Sequence, residues 1–166
     1  MLSYDPTDFS MISPSKDGVN HICVSKGATT ELGRKLDMGT RRPFHHPEDG
    51  FFESFIGWWL GRCNGKKEVF RSMHHENLML TAAHDSNSDS DVWKDAVVAM
   101  KPSIMSDPEL GMLLRNNPLP LYLYHVHRWN VCKISGQADE AIVPVTWFTP
   151  YIEVLNKISA DYKAGL

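Results

Sequence analysis

Apolar residues recur at helical spacing in two stretches of the chain. Phe51, Phe52, Phe55, Trp58 and Trp59 are separated by threes and fours, which predicts a helix over 51–62 with one wide aromatic face. Glu48 and Asp49 precede it, where a helix N-terminus favours acidic side chains. Tyr151, Val154, Leu155, Ile158 and Tyr162 form a second stripe, opened by Thr149-Pro150 and closed by Gly165. Between the two, Ser106-Asp107-Pro108-Glu109 has capping-box spacing and predicts a short helix to Arg115, ended by Asn116-Asn117-Pro118. Val92 to Met100 reads as a helix stopped at Lys101-Pro102, and 69–83 as a weaker one. Thr30 is placed to cap a helix or turn over 31–36.

Alternation predicts strands elsewhere. Over 19–25, His21, Cys23 and Ser25 share one face, with Ile22 and Val24 on the other. Over 121–128, Tyr122, Tyr124 and Val126 oppose Leu121, Leu123, His125 and His127. Residues 131–134 are expected to pair with that strand across a turn near Trp129-Asn130. A further short strand spans 141–145, with Pro144 marking an edge. Residues 1–18, 37–49 and 84–91 follow neither period and read as irregular, the last as a polar loop ending in a helix cap. The pattern predicts an α+β fold: one domain over 19–166, mainly helical with a small sheet, behind an irregular segment over 1–18.

Composition narrows the function classes. The 166 residues carry 17 basic and 20 acidic side chains, a net charge of −3, so no global basic field holds a nucleic-acid backbone. Cys23, Cys63 and Cys132 are odd in number and far apart, and no C-x-x-C pair occurs. The first residues lack a basic and apolar leader, and no apolar run reaches membrane-spanning length. A cytoplasmic protein without a membrane segment is expected.

Several constellations fall short of a site. Eight histidines include the pairs His45-His46 and His74-His75, and His125 and His127 share a strand face. None has zinc-site spacing, so no metal is expected. Asp85-x-Asn87-x-Asp89-x-Asp91 imitates the start of a calcium loop, but Ser90 and Ala96 stand where that loop needs glycine and glutamate. Nucleophile-elbow, P-loop and dinucleotide-fold glycine motifs are absent, and no cofactor is expected.

One segment is more specific. Ser25-Lys26-Gly27-Ala28-Thr29-Thr30-Glu31-Leu32-Gly33-Arg34-Lys35-Leu36 is followed by Pro43-Phe44 and then by His46-Pro47-Glu48-Asp49-Gly50-Phe51-Phe52-Glu53-Ser54-Phe55-Ile56-Gly57-Trp58-Trp59. This resembles the NADAR (YbiA-like) superfamily, especially its short bacteriophage-type members. That family's pattern is close to SKG-x-T-E-L-G-R-x-L-S-N-F, then PF, then PEDG-x-F-x-S-V-E-G-Y-W. Downstream, Pro118-Leu119-Pro120 leading into Tyr122-Leu123-Tyr124-His125-Val126, and Trp147 before the last helix, resemble the family more loosely. The likeness covers most of residues 20–160, and 25–59 are its strongly patterned part.

The resemblance implies N-glycosidic chemistry on ADP-ribose-like nucleotides, through an oxocarbenium-like transition state that needs a nearby carboxylate. It implies a ligand set of Lys26, Glu31, Arg34, Arg41, Trp58, Trp59 and His125. Lys26, Arg34 and Arg41 suit phosphates, and Trp58 and Trp59 suit stacking on a base. The helical spacing of the tryptophans equally fits a packed core. The family's glutamate falls on Ile56, and its S-N-F on Asp37-Met38-Gly39. An isoleucine neither stabilises positive charge nor moves a proton. Three functions follow. The first is a degenerate, non-hydrolytic domain binding an ADP-ribose- or NAD-related nucleotide or a protein partner. The second is an active N-glycosidase using a relocated carboxylate, Glu53 or Glu48. The third is a structural or interaction protein of a phage, an accessory or anti-defence factor or a homo-oligomer. Nucleic acid enters only through ADP-ribosylated bases.

Overall fold

A computed structural model describes residues 4–65, 68–74, 90–137, 139–145 and 149–165. In chain order the elements are β1 (Ile22–Cys23), α1 (Glu31–Leu36), β2 (Phe44–His46), β3 (Gly50–Phe52), α2 (Phe55–Cys63), α3 (Ser90–Met105), α4 (Pro108–Asn116), β4 (Leu121–Tyr122), β5 (Tyr124–Trp129), β6 (Asp139–Pro144) and α5 (Thr149–Lys163). Short 3-10 turns cover Pro14–Lys16 and Glu68–Ser72. The fold is α+β and forms one domain. Its strands make three separate two-stranded ladders: β1 parallel to β4, β2 antiparallel to β3, and β5 antiparallel to β6.

Side chains at the helix starts explain where helices begin. Thr30, Ser54 and Asp107 each accept a hydrogen bond from the backbone N–H three residues on, at 3.0, 3.1 and 3.2 Å. Each satisfies a donor that has no partner within its helix. The helices bury Phe55, Trp58, Leu60, Met100, Ile104, Leu110, Tyr151 and Leu155 in one core. A smaller cluster of Cys23, Ala28, Tyr122 and Tyr124 is covered by Tyr4, Phe9 and Ile12. The irregular N-terminal segment is therefore docked. Tyr4 donates its hydroxyl proton to the Leu121 carbonyl at 2.7 Å and accepts from the Leu121 N–H at 3.0 Å.

Four expectations are corrected. The aromatic helix starts at Phe55, because Phe51 and Phe52 belong to β3, paired with His45 and Phe44. Gly50 turns the chain at φ +85° and Ser54 caps the helix, and these local signals outweigh the aromatic spacing. Helix α3 runs through Pro102 to Met105. The proline forfeits a bond to the carbonyl of Val98, a half-exposed residue. Strand β5 pairs with 139–144, not 131–134, which lie in the connecting loop between Asn130 and Gly136, both at positive φ. Over 68–72 the chain forms a 3-10 turn, residues 73 and 74 are not helical, and the remainder of the helix expected to residue 83 lies outside the described residues, as do the loop at 84–89 and Trp147.

Two helical glycines set how closely the elements approach. A Cβ on Gly33 would lie 2.0 Å from the Cys23 carbonyl oxygen, and one on Gly57 2.4 Å from that of Phe70. Helix α1 thereby rests directly on β1, and α2 on the turn at 68–72.

Candidate functional site

The segment 25–30 is shaped from beneath by two buried carboxylates. Asp17 accepts from the N–H groups of Cys23 (2.9 Å) and Thr29 (2.8 Å). Asp37 accepts from those of Lys26 (2.9 Å) and Gly39 (2.8 Å). Gly27 and Ala28 donate to the Ser25 hydroxyl and carbonyl at 3.1 Å each. All four N–H groups from Lys26 to Thr29 are thus turned inward. The loop therefore offers no backbone cradle of the P-loop kind, and only side chains could hold an anion there.

The C-terminal carbonyls of α1 are capped as fully. Thr40 donates to the Arg34 carbonyl (2.9 Å), Arg42 to that of Lys35, and Tyr151 to that of Leu36 (2.5 Å). Arg42 is buried and also donates to Ser103 Oγ at 3.0 Å. Burial pulls the acidity of its guanidinium toward the neutral form, and the fields of Tyr151, Asp107 and Asp37 push back, with a net lowering. A cation under a helix C-terminus is well placed against the helix dipole.

On this frame Lys26, Glu31, Arg34, Lys35 and Thr40 line a shallow depression of about 430 Å³. Three of the predicted ligand residues, Lys26, Glu31 and Arg34, are brought together there. The Arg34 guanidinium donates to the carbonyls of Ala28 and Thr29, each at 2.9 Å, and is fixed over the loop. Lys35 reaches Asp107 at 2.7 Å, and that hydrogen bond first, with the field of nearby acids, raises its pKa. The Lys26 ammonium has no partner among the described residues and is free to meet a ligand.

The other predicted residues lie elsewhere. Arg41 and Glu53 pair with each other at 2.6 Å, and that bond holds the Glu53 carboxyl below the usual range. Glu48 sits in the β2–β3 turn with its side chain 80% exposed. Trp58 and Trp59 are 0% and 2% exposed, so they are core residues and present no face to a base. His125 is exposed on the β5–β6 hairpin, opposite Val143. Ile56 is 7% exposed, and its N–H donates to the Met38 carbonyl at 2.8 Å. Ile56 and Met38, two of the positions that depart from the pattern the chain resembles, therefore touch each other and pack against the core.

Sequence reasoning missed Lys35 and Thr40 in the depression, and the roles of Asp17, Asp37 and Arg42 beneath it. Lys35 was within reach as the neighbour of Arg34 in the motif. Toward the loop and β1 the two aspartates act over separations of 6 to 12 residues, with no local signature.

A second polar centre joins the β2–β3 turn to α2 and α3. Buried Asp49 accepts from Trp58 Nε1 (2.9 Å) and Arg62 Nε (2.5 Å), and Arg62 also donates to Asp95 (2.9 Å). His46 Nδ1 lies 3.5 Å from Asp49 but accepts the N–H groups of Glu48 (3.1 Å) and Asp49 (3.0 Å), which requires the neutral ring. Burial lowers its pKa accordingly. Neutral His21 is buried likewise, bonded to Asn20 Oδ1 and Tyr124 Oη at 2.6 Å each. These are structural clamps that use most of their polar capacity internally, although buried His46 Nε2 has no hydrogen-bond partner among the described residues. Among the described residues no three His, Cys, Asp or Glu side chains gather as a metal site, and no helix is long and apolar enough to cross a membrane. Comparison with protein-family models, curated proteins and solved structures gives no significant match.

Proposed function

We propose that this chain is a non-hydrolytic NADAR-like domain that binds an ADP-ribose-type nucleotide by its phosphates in the α1 depression. The observation that carries this reading is the convergence of Lys26, Arg34 and Lys35 on one site whose lining holds a single acid, Glu31, with Lys35 also paired to Asp107 beside it. Ammonium and guanidinium groups suit the oxygens of a pyrophosphate. The resemblance over residues 25–36 supplies the nucleotide class. Glycosidic cleavage needs a carboxylate at the anomeric carbon. Ile56 offers none, Glu53 is held by Arg41, and Glu48 does not line the depression.

The test is the melting temperature with excess ADP-ribose, followed by timed chromatography of ADP-ribosylated nucleosides. Ligand at 100 times its dissociation constant adds about 2.7 kcal/mol, or roughly 5–10 °C for a domain of this size. Lys26→Glu, which removes the unpaired ammonium, is expected to abolish the shift while the ligand-free midpoint stays put. No shift with ADP-ribose, NAD or pyrophosphate overturns the binding reading. Release of a free base overturns the non-hydrolytic one.

A further inference from the structure

The outer side of α4 is self-complementary. Met112 is 64% exposed, an unusual position for a large apolar side chain. Exposed Glu109 and Arg115 stand three residues to either side of it, turned about 60° in opposite senses around the helix. The Arg115 guanidinium has no ion-pair partner among the described residues, and the Glu109 carboxylate reaches only Lys35, at 3.9 Å. Lys35 is itself committed to Asp107 at 2.7 Å.

Two grooves flank this ridge, and Met112 lines both. One, of about 410 Å³, runs toward α1 and is lined by Ile22, Leu32 and Leu113. The other, of about 230 Å³, runs toward α5 and is lined by Ile104 and Tyr162. A flexible thioether between apolar grooves is suited to docking.

The order of charges along the helix selects the occupant. Two identical helices packed antiparallel about a two-fold axis pair residues equidistant from the axial one. With Met112 on the axis, each Glu109 lies level with the Arg115 of the other copy across the seam, within reach of these long side chains, so two ion pairs flank an apolar centre. The opposed helix dipoles favour the same arrangement. A foreign basic or acidic helix matches only one of the two charges, and an apolar one leaves both unpaired. We propose that the α4 face is an interface between two copies of this chain, arranged with two-fold symmetry about Met112.

Analytical ultracentrifugation of the wild type, Glu109→Arg, Arg115→Glu and their equimolar mixture tests it. The wild type is expected at twice 18.8 kDa. Each reversal sets like charges together twice and should weaken association at least tenfold, giving monomers. Mixing the two restores opposite charges at both contacts and should return the species of double mass. Circular dichroism checks folding, and both positions are solvent-exposed. Where a reversal unfolds the chain, Met112→Lys replaces it and should likewise give a monomer. A wild type that stays monomeric at high concentration overturns the proposal. So does a dimer that resists the substitutions, or a mixture that remains monomeric.

Discussion

Four glycines lie inside helices, and their surroundings divide them into two pairs with opposite expected behaviour on substitution by alanine. A glycine-to-alanine change in a helix interior gains about 1 kcal/mol from backbone propensity alone. At Gly61 the new Cβ would sit 3.7 Å from Phe52 and Phe70, and at Gly111 3.6 Å from Tyr162, which are ordinary contacts. The propensity gain survives there, and the midpoint should rise by about 2–4 °C for a domain of this size. At Gly33 the Cβ would meet the Cys23 carbonyl oxygen at 2.0 Å, with Ala28 Cβ at 2.9 Å and Thr30 Oγ1 at 3.0 Å. At Gly57 it would meet the Phe70 carbonyl oxygen at 2.4 Å. Neither oxygen is the end of a flexible side chain, so α1 must lift off β1, or α2 off the turn at 68–72. Overpacking of this kind costs about 3 kcal/mol. Set against the propensity gain, the net loss is about 2 kcal/mol, a fall of roughly 4–8 °C. Thermal melts of the four single variants by circular dichroism give the comparison. A rise at Gly33→Ala or Gly57→Ala, or a clear fall at the other two, would refute the close approaches on which the site's frame rests.

Three more outcomes follow from buried and exposed groups. Arg42→Met keeps most of the side-chain volume but uncaps the Lys35 carbonyl and frees Ser103 Oγ. It should cost about 2 kcal/mol in urea unfolding, and an unchanged midpoint would remove Arg42 as the cap of α1. Burial holds the pKa of His21 and His46 below the ordinary value, so the unfolded chain binds more protons as pH falls through about 6.5. Stability should be full above that pH and decline from 7 toward 5. The double variant His21→Phe/His46→Phe should flatten the profile, and a wild-type profile already flat would contradict neutral burial. Exposed Cys132 is held at a pKa of about 7, chiefly by hydrogen bonding from Ser135 and then from backbone N–H groups, whereas burial pushes Cys23 up to about 12. At pH 7 iodoacetamide should modify Cys132 first and Cys23 only after denaturation, and equal rates by peptide mass spectrometry would count against both assignments.

What was legible in the sequence was local. Thr30 announces α1, and the Ser106–Glu109 signal announces α4 one residue early, since Asp107 and not Ser106 is the cap, because a capping side chain acts within three residues. The stripe of α5 is read directly, since Tyr151, Val154, Leu155 and Ile158 are all buried on one side. Periodicity fails where one aromatic run serves two elements. Phe52 packs from a strand and Phe55 from a helix, and only Gly50 and Ser54 mark the change. The parallel pairing of Ile22 with Leu121 spans almost a hundred residues and leaves no trace in either segment's pattern. The site divides in the same way. Lys26, Glu31 and Arg34 were found because one motif carries them, while the ion pair that occupies Glu53 and the burial of Trp58 are tertiary facts.

The separation between the depression and Ile56 has a mechanical basis. The depression stands on Asp17, Asp37, Thr30 and Arg42, all of which act through the 25–30 loop and the two ends of α1. None of those four hydrogen bonds uses a side chain of α2. Ile56 belongs to α2 and meets the other half of the fold through its own N–H and the Met38 carbonyl. That bond is made by the backbone and uses neither side chain. The side chains of Ile56 and Met38 are consequently free to serve the core, which both do. A glutamate at position 56 would place a charge among buried aromatic and aliphatic groups, where an unpaired carboxylate is strongly disfavoured. A glutamate put there alone is therefore expected to destabilise the core. The depression and position 56 thus rest on different elements, α1 with its loop and α2, so a change at one need not disturb the other.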